Sequence, residues 1–163
     1  MTDPSPHREF EALVDQHGSA AQALLRRLAG NPHDAEDAFQ ETAIRVWRHI
    51  SQGTVVARPR SWLMTVAYRT FLDLRDRRRA RREPLFDPPD SQPSPEQTAE
   101  VRDDARRMLS AVEELNESIR DVIALHYTGG LSLRETADAL EISEGTVKSR
   151  LNSALIQLRR QLQ

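Results

Sequence analysis

Five of the chain's nine prolines, Pro84, Pro88, Pro89, Pro93 and Pro95, fall in the stretch from Glu83 to Glu96. Proline lacks a backbone N–H and pushes the residue before it away from helical geometry, so neither a helix nor a central strand can run through such a stretch. With Asp, Ser and Gln between the prolines, the segment reads as an extended, flexible spacer. It divides the 163 residues into two short units, 1–83 and 98–163, with 84–97 as the linker. Neither unit shows strand alternation of useful length, and both carry helical repeats of apolar residues. The expected architecture is all-α: two small helical domains joined by a Pro-rich linker. Aromatic residues make up 5% of the chain, so the cores are expected to be aliphatic and modest.

The C-terminal unit has the more specific pattern. Ser132 followed by Glu135 is an S-x-x-E capping box, which satisfies two orphan backbone donors at a helix start and sets a helix from Leu133. Leu133, Ala137 and Leu140 recur on one face; after Glu141, Ile142 and Ser143 a second stripe begins at Val147 and runs through Leu151, Leu155 and Leu158. Two helices with a three-residue join, and small Ala137 where they approach, form a helix-turn-helix pattern. A plain helical hairpin shares the periodicity, so the choice rests on chemistry. Gly145, Thr146, Lys148, Ser149, Arg150 and Asn152 put donors and little bulk at the start of the second helix, as phosphates and base edges require. Upstream, Val101, Ala105, Met108, Leu109, Val112 and Leu115 predict one helix from Thr98, and Glu117 to Tyr127 another, ended by Gly129 and Gly130.

In the N-terminal unit, Phe10 to Ala29 predicts one helix or a pair broken near Gly18, with Gly30 and Asn31 as its stop. Asp34 reads as the cap of a helix through Ile50 that buries Ala35, Phe39, Ala43, Val46 and Ile50. Another of its faces carries Asp37, Gln40, Glu41, Arg45 and Arg48, which by themselves indicate a solvated face with local ion pairs. Ser51 to Arg60 is expected as a loop, and Ser61 as the cap of a third helix bearing Trp62, Leu63, Val66, Ala67, Phe71 and Leu74. From Arg58 to Arg82 there are nine arginines against Asp73 and Asp76, a local charge of +7 in a chain of net charge −2. Cations suit a helix C-terminus, but this number exceeds that need, and a phosphate backbone is the matching counterpart.

The chain has no cysteine, which removes disulfides and thiolate metal sites. The five histidines are scattered without paired spacing, so no metal is expected, and nothing calls for a cofactor. No apolar run reaches membrane-spanning length and no signal peptide is visible, so a cytoplasmic location is expected. No carboxylate and histidine constellation indicates an enzyme.

Taken in order, these segments resemble the extracytoplasmic-function (ECF) class of bacterial RNA polymerase sigma factors. DAEDAFQETAIRVWRHI (Asp34 to Ile50) is similar to that family's polymerase-binding helix, and PRSWLMTVAYRTFLDLRDRRR (Pro59 to Arg79) to its promoter −10 helix. Leu115 to Arg160 is similar to its −35 binding domain. The resemblance implies that Asp37, Gln40, Glu41 and Arg45 contact the clamp helices of the largest subunit of core RNA polymerase. It implies that the Gln52 to Arg60 loop holds a flipped nontemplate base. Arg60, Arg69, Arg75, Arg77 and Arg78 would lie near promoter DNA, and Arg134, Thr146, Lys148, Ser149, Arg150 and Asn152 would serve the −35 element. An anti-sigma protein is a further partner of the family. The chain departs from the family pattern at Arg69, commonly Asn, at Pro59, commonly aromatic, and at Glu141, commonly Gly in the turn. A competing assignment is a stand-alone helix-turn-helix regulator with a sensing N-terminal domain, but the acidic and basic helices there supply no pocket or modification motif.

Overall fold

A computed structural model describes residues 5–81 and 99–162, all of whose regular elements are helical. The first unit is a three-helix assembly of α1 (Pro6–Ala29), α2 (Pro32–Ser51) and α3 (Pro59–Ala80). The second contains α4 (Ala99–Glu113), α5 (Glu117–Ile123, continuing as a π turn over Ala124–Thr128), α6 (Leu133–Leu140) and α7 (Glu144–Leu162). The stretch from Glu83 to Glu96 lies outside the described residues.

α1 is unbroken. Gly18 is buried within it, and a Cβ there would sit 3.2 Å from Val14 Cγ1 and 3.8 Å from Phe39 Cζ. The glycine that suggested a break is therefore a close-packing position between α1 and α2. Gly30 closes α1 at φ 73°, its N–H donating to the Arg26 carbonyl, a conformation that costs glycine little. The cap of α2 is Asn31 rather than Asp34: Asn31 Oδ1 accepts the Asp34 N–H at 2.8 Å and Pro32 occupies the first turn. The start of α3 repeats the correction. Arg58 stands at the cap position, Pro59 enters the first turn, and Ser61 lies inside the helix with its hydroxyl donating to the Arg58 carbonyl. In both places proline, with φ preset and no N–H to lose, marks the true start. The loop shortens accordingly to residues 52–58.

In the second unit the capping box at Ser132 and Glu135 forms as expected, and the Ser132 N–H bond holds the Glu135 carboxyl below its usual range. The helix read as Glu117 to Tyr127 widens at Ala124, where the Gly129 N–H donates to the Ala124 carbonyl at 2.8 Å. A Cβ on Gly129 would lie 2.7 Å from the Leu125 carbonyl oxygen, so only glycine permits this closure. The apolar stripes also need correction. Leu155 is 48% exposed and Met108 44%, and Leu109 and Ala105 are exposed as well. On α4 only Ala111 and Val112 are buried among its described side chains, so α4 docks against α7 by its C-terminal end.

Cores formed within single units are Leu25, Ala35, Ala38 and Ala67 in the first, and Val112, Leu115, Ile119 and Ala154 with Val122, Ala137 and Val147 in the second. The largest cluster joins the two units. Leu13, Ala21 and Leu24 of α1, Val46 and Ile50 of α2, and Leu63, Met64 and Tyr68 of α3 pack with Ala124, Leu125, Leu131 and Ala139. α1 meets the π turn and α3 meets α6 across this seam.

The turn between α6 and α7 has one strained residue. Glu141 takes φ 55° and ψ 41°, and it is the non-glycine residue with positive φ among the described residues. An L-residue there costs about 1–2 kcal/mol, against about 0.5–1 kcal/mol of extra chain entropy for glycine. The Glu141 carboxylate has an Arg69 partner, but both are largely exposed, and such pairs contribute about 0–1 kcal/mol. Glu141→Gly is expected to leave stability unchanged or raise it by up to about 1 kcal/mol in urea unfolding. A loss above about 1 kcal/mol would show that the side chain, not the backbone, dominates at this turn.

Candidate nucleic-acid and polymerase interfaces

The helix-turn-helix places its candidate residues on two different sides of α7. Val147 and Ala154 are buried, and Leu151 joins the cluster around Val147. Lys148, Ser149 and Asn152 are exposed, as is Arg134 on α6. Thr146 is partly committed to the helix start: its N–H donates to Ser143 Oγ at 3.1 Å, and the two hydroxyls lie 2.9 Å apart. Arg150 is partly buried and turned differently, since its charge acts on Tyr68 and Asp121 at the seam between the units. The spacing of two residues from Lys148 is about 200° around a helix, which accounts for the separation.

α2 carries the acidic candidates. Asp37 is 3.4 Å from Arg78 Nη2, and Arg78 also pairs with Asp34. Arg45 bridges Glu41 at 3.1 Å and Asp73 at 2.7 Å; the hydrogen bond to Asp73, more than any other influence, holds its guanidinium above the usual range. Gln40 is exposed and donates to Glu36 at 3.3 Å. These pairs agree with a solvated, locally neutralised face. The same helix, however, leaves Ile44 45% and Trp47 40% exposed, with Phe10 edge-on to Trp47 at 5.6 Å between ring centroids. Ile44 follows Gln40 and Glu41 at helical spacing, so polar and apolar groups share one outer surface, a composition that suits protein contact better than solvent alone. Ile44 and Trp47 were not singled out by the sequence; their place among charged residues was the available signal.

The α3 arginines divide by partner. Arg60 donates to the Gly129 carbonyl at 3.2 Å, and Arg69 reaches Glu141 at 3.3 Å. Arg75, with 19% of its side chain exposed, pairs with Glu117 and lies over the Phe71 ring at 5.8 Å. Arg78 turns to α2, and Arg77 is exposed. Two of the positions that depart from the family pattern, Arg69 and Glu141, are thus partners. Residues 52–58 stay at the surface, with Val55 89% exposed.

Tyr68 and Asp121 form the polar centre of the seam, and neither was picked out from the sequence. The Tyr68 hydroxyl donates to Asp121 Oδ2 at 2.8 Å. Burial is the main reason both groups are pushed above their ordinary ranges, while Arg75 and Arg150 pull them back. A tyrosine in an apolar stripe and an aspartate between Ile119 and Val122 were the visible hints, since buried polar groups need partners. Next to this pair lies a cavity of about 450 Å³ lined by Arg27, Arg75, Arg78 and Arg120 and by Asp34, Glu113 and Glu117. Burial lowers Arg27 there more than Glu113 raises it. The balance of cations and carboxylates makes this a seam between units rather than a site of one charge. Among the described residues no group of three or more His, Asp or Glu could hold a metal ion, and no helix is long and apolar enough to cross a membrane.

Comparison with known proteins matches this arrangement in both units. Residues 13–82 match the Sigma-70 region 2 family and residues 111–160 match Sigma-70, region 4. The ECF RNA polymerase sigma factor SigL of Mycobacterium tuberculosis is 40% identical over 159 residues, spanning 94% of this chain and 89% of SigL. Among solved structures, CnrH in complex with the cytosolic domain of CnrY is 27% identical with a TM-score of 0.68, over 96% of this chain and 88% of that one. The sigma factor RpoE from Bartonella quintana, in complex with the anti-sigma factor NepR, shares the fold at 23% identity with a TM-score of 0.78, over 95% and 97% of the two chains. Region 2 on the three-helix unit, region 4 on the helix-turn-helix unit and full-length similarity to SigL together show that the chain belongs to the ECF RNA polymerase sigma factors, alternative sigma factors for transcription initiation.

Proposed function

We propose that the chain binds core RNA polymerase through the outer face of α2, reads and opens the −10 element with α3, and grips the −35 element with the helix-turn-helix. The observation that carries this reading is the order of surfaces along the chain. An α2 face with Asp37, Gln40, Glu41 and Arg45 beside exposed Ile44 and Trp47 precedes an arginine-rich helix, and a helix-turn-helix follows. Arg60, Arg69, Arg75, Arg77 and Arg78 supply phosphate contacts, and residues 52–60 receive a flipped base of the nontemplate strand. Arg134, Thr146, Lys148, Ser149, Arg150 and Asn152 form the −35 contact set. The protein positions an enzyme that it does not contain and acts in the cytoplasm. NepR, the anti-sigma factor bound to the RpoE neighbour, supports an anti-sigma protein as a further partner. No observation favours the stand-alone regulator.

Adding the purified chain to core polymerase is expected to yield run-off transcripts from a subset of genomic promoters, and Asp37→Lys with Glu41→Lys to cut their yield at least tenfold with helicity unchanged. Full transcription by that variant would remove α2 from the polymerase contact, and failure of the unaltered chain to bind core would sink the reading. On a −35 duplex, Lys148→Ala should weaken binding. A phosphate contact lowers the salt slope by about one across all sequences, whereas a base contact removes about 1–3 kcal/mol of discrimination at one position. Unchanged binding would exclude Lys148 from the interface.

A further inference from the structure

The cavity at the seam is balanced in overall charge, but its charges are unequally committed. Arg78 is held by Asp34 and Asp37, Glu117 takes Arg79 and one terminal nitrogen of Arg75, and Arg120 donates to the Glu113 carbonyl at 2.8 Å. Asp121 is engaged by the Tyr68 hydroxyl. Arg27, near the end of α1, is partly buried in the same wall, and its guanidinium makes no hydrogen bond or ion pair with a described residue. Asp73 holds Arg45 above its usual range, whereas at Arg27 burial outweighs the pull of Glu113 and lowers it, as happens to a cation with no anion seated on it. Arg75 Nε is a second open donor: it is buried and makes no hydrogen bond, and Asp76 Oδ1 at 3.5 Å lacks the geometry for one. Buried donors normally have partners, so two left open on residues that line one cavity call for an acceptor that enters it.

We propose that this cavity binds a small organic acid with one carboxylate and an apolar body, the carboxylate meeting Arg27 and Arg75 and the body resting on Leu28, Phe71, Leu74 and Val112. Its volume of about 450 Å³ falls within the range of small-molecule sites, about 300–1,000 Å³. The apolar side chains lie in the same lining as the two arginines, so one molecule can satisfy both kinds of group. A planar carboxylate matches the fork of a guanidinium and takes two parallel hydrogen bonds from it. A single negative charge is what the site accepts, because Asp34, Glu113 and Glu117 also line the cavity and repel the second charge of a phosphate. Arg27 and Leu28 belong to α1, Phe71, Leu74 and Arg75 to α3, and Val112 to α4. The ligand therefore touches both units and is bound only where they meet. The site goes beyond the promoter reading and does not depend on the assignment of α3 to DNA.

The probe is phenylpropionate, with phenylpropionamide as its neutral isostere and inorganic phosphate as an anion without an apolar body. Titrated into the full chain and followed by amide and methyl NMR shifts, phenylpropionate is expected to bind with a Kd of about 1 mM or tighter, within reach of a fragment of that size. Both controls should bind at least tenfold more weakly. NOEs from the phenyl ring are expected to reach the methyls of Leu28 or Leu74 and of Val112 in one complex. Arg27→Gln should weaken binding at least tenfold with helicity unchanged. Glu113→Gln, which removes a competing carboxylate from an exposed position, should instead tighten it at least twofold. Absence of binding, equal binding of the amide or of phosphate, NOEs confined to one unit, or a folded Arg27→Gln variant that binds as before each overturns the site. If Arg27→Gln loses its helicity, Glu113→Gln decides, and unchanged or weaker binding by that variant overturns the site equally.

Discussion

Nine arginines between Arg58 and Arg82 repel one another unless anions face them, and the rest of the structure is arranged around that constraint. On one side of α3, Asp34 and Asp37 of α2 hold Arg78. The other side is neutralised by the second unit through Glu117 and Glu141. Exposed pairs contribute little singly. The part-buried Tyr68–Asp121 bond and the apolar cluster around it hold the surfaces in register.

Arg69 and Arg75, which pair with Glu141 and Glu117 of the second unit, are among the donors proposed above for phosphate. The chain as a whole carries a net charge of −2, so the basic stretch is offset by carboxylates elsewhere in it. Arg150 illustrates the overlap on the other side of the seam: it lies on the helix-turn-helix, yet its charge acts on Tyr68 and Asp121.

Much of each unit was legible in the sequence because its signals are local. The Ser132 and Glu135 box, the glycine stops and the stripe around Val147 all act within a few residues. The misplaced caps at Asp34 and Ser61 were decided by Pro32 and Pro59, signals equally local but outweighed by chemically good capping residues nearby. The seam was not legible. Periodicity picks out Leu63 and Leu140 but cannot say that both pack into the cluster joining the two units, and Met108, Leu109 and Leu155 show the reverse, with apolar residues at helical spacing left exposed. Ion pairing between residues 42 or 72 positions apart, as in Arg75–Glu117 and Arg69–Glu141, leaves no pattern in a single sequence.

The central claim is that the two sigma regions of the free chain form one body through the seam at Tyr68 and Asp121. Small-angle scattering of the free protein tests it most directly. A compact body of this length has a radius of gyration of about 15–17 Å, and that value is predicted, with a single-peaked distance distribution. A radius above about 20 Å, or a two-lobed distribution of separated domains, would contradict the account.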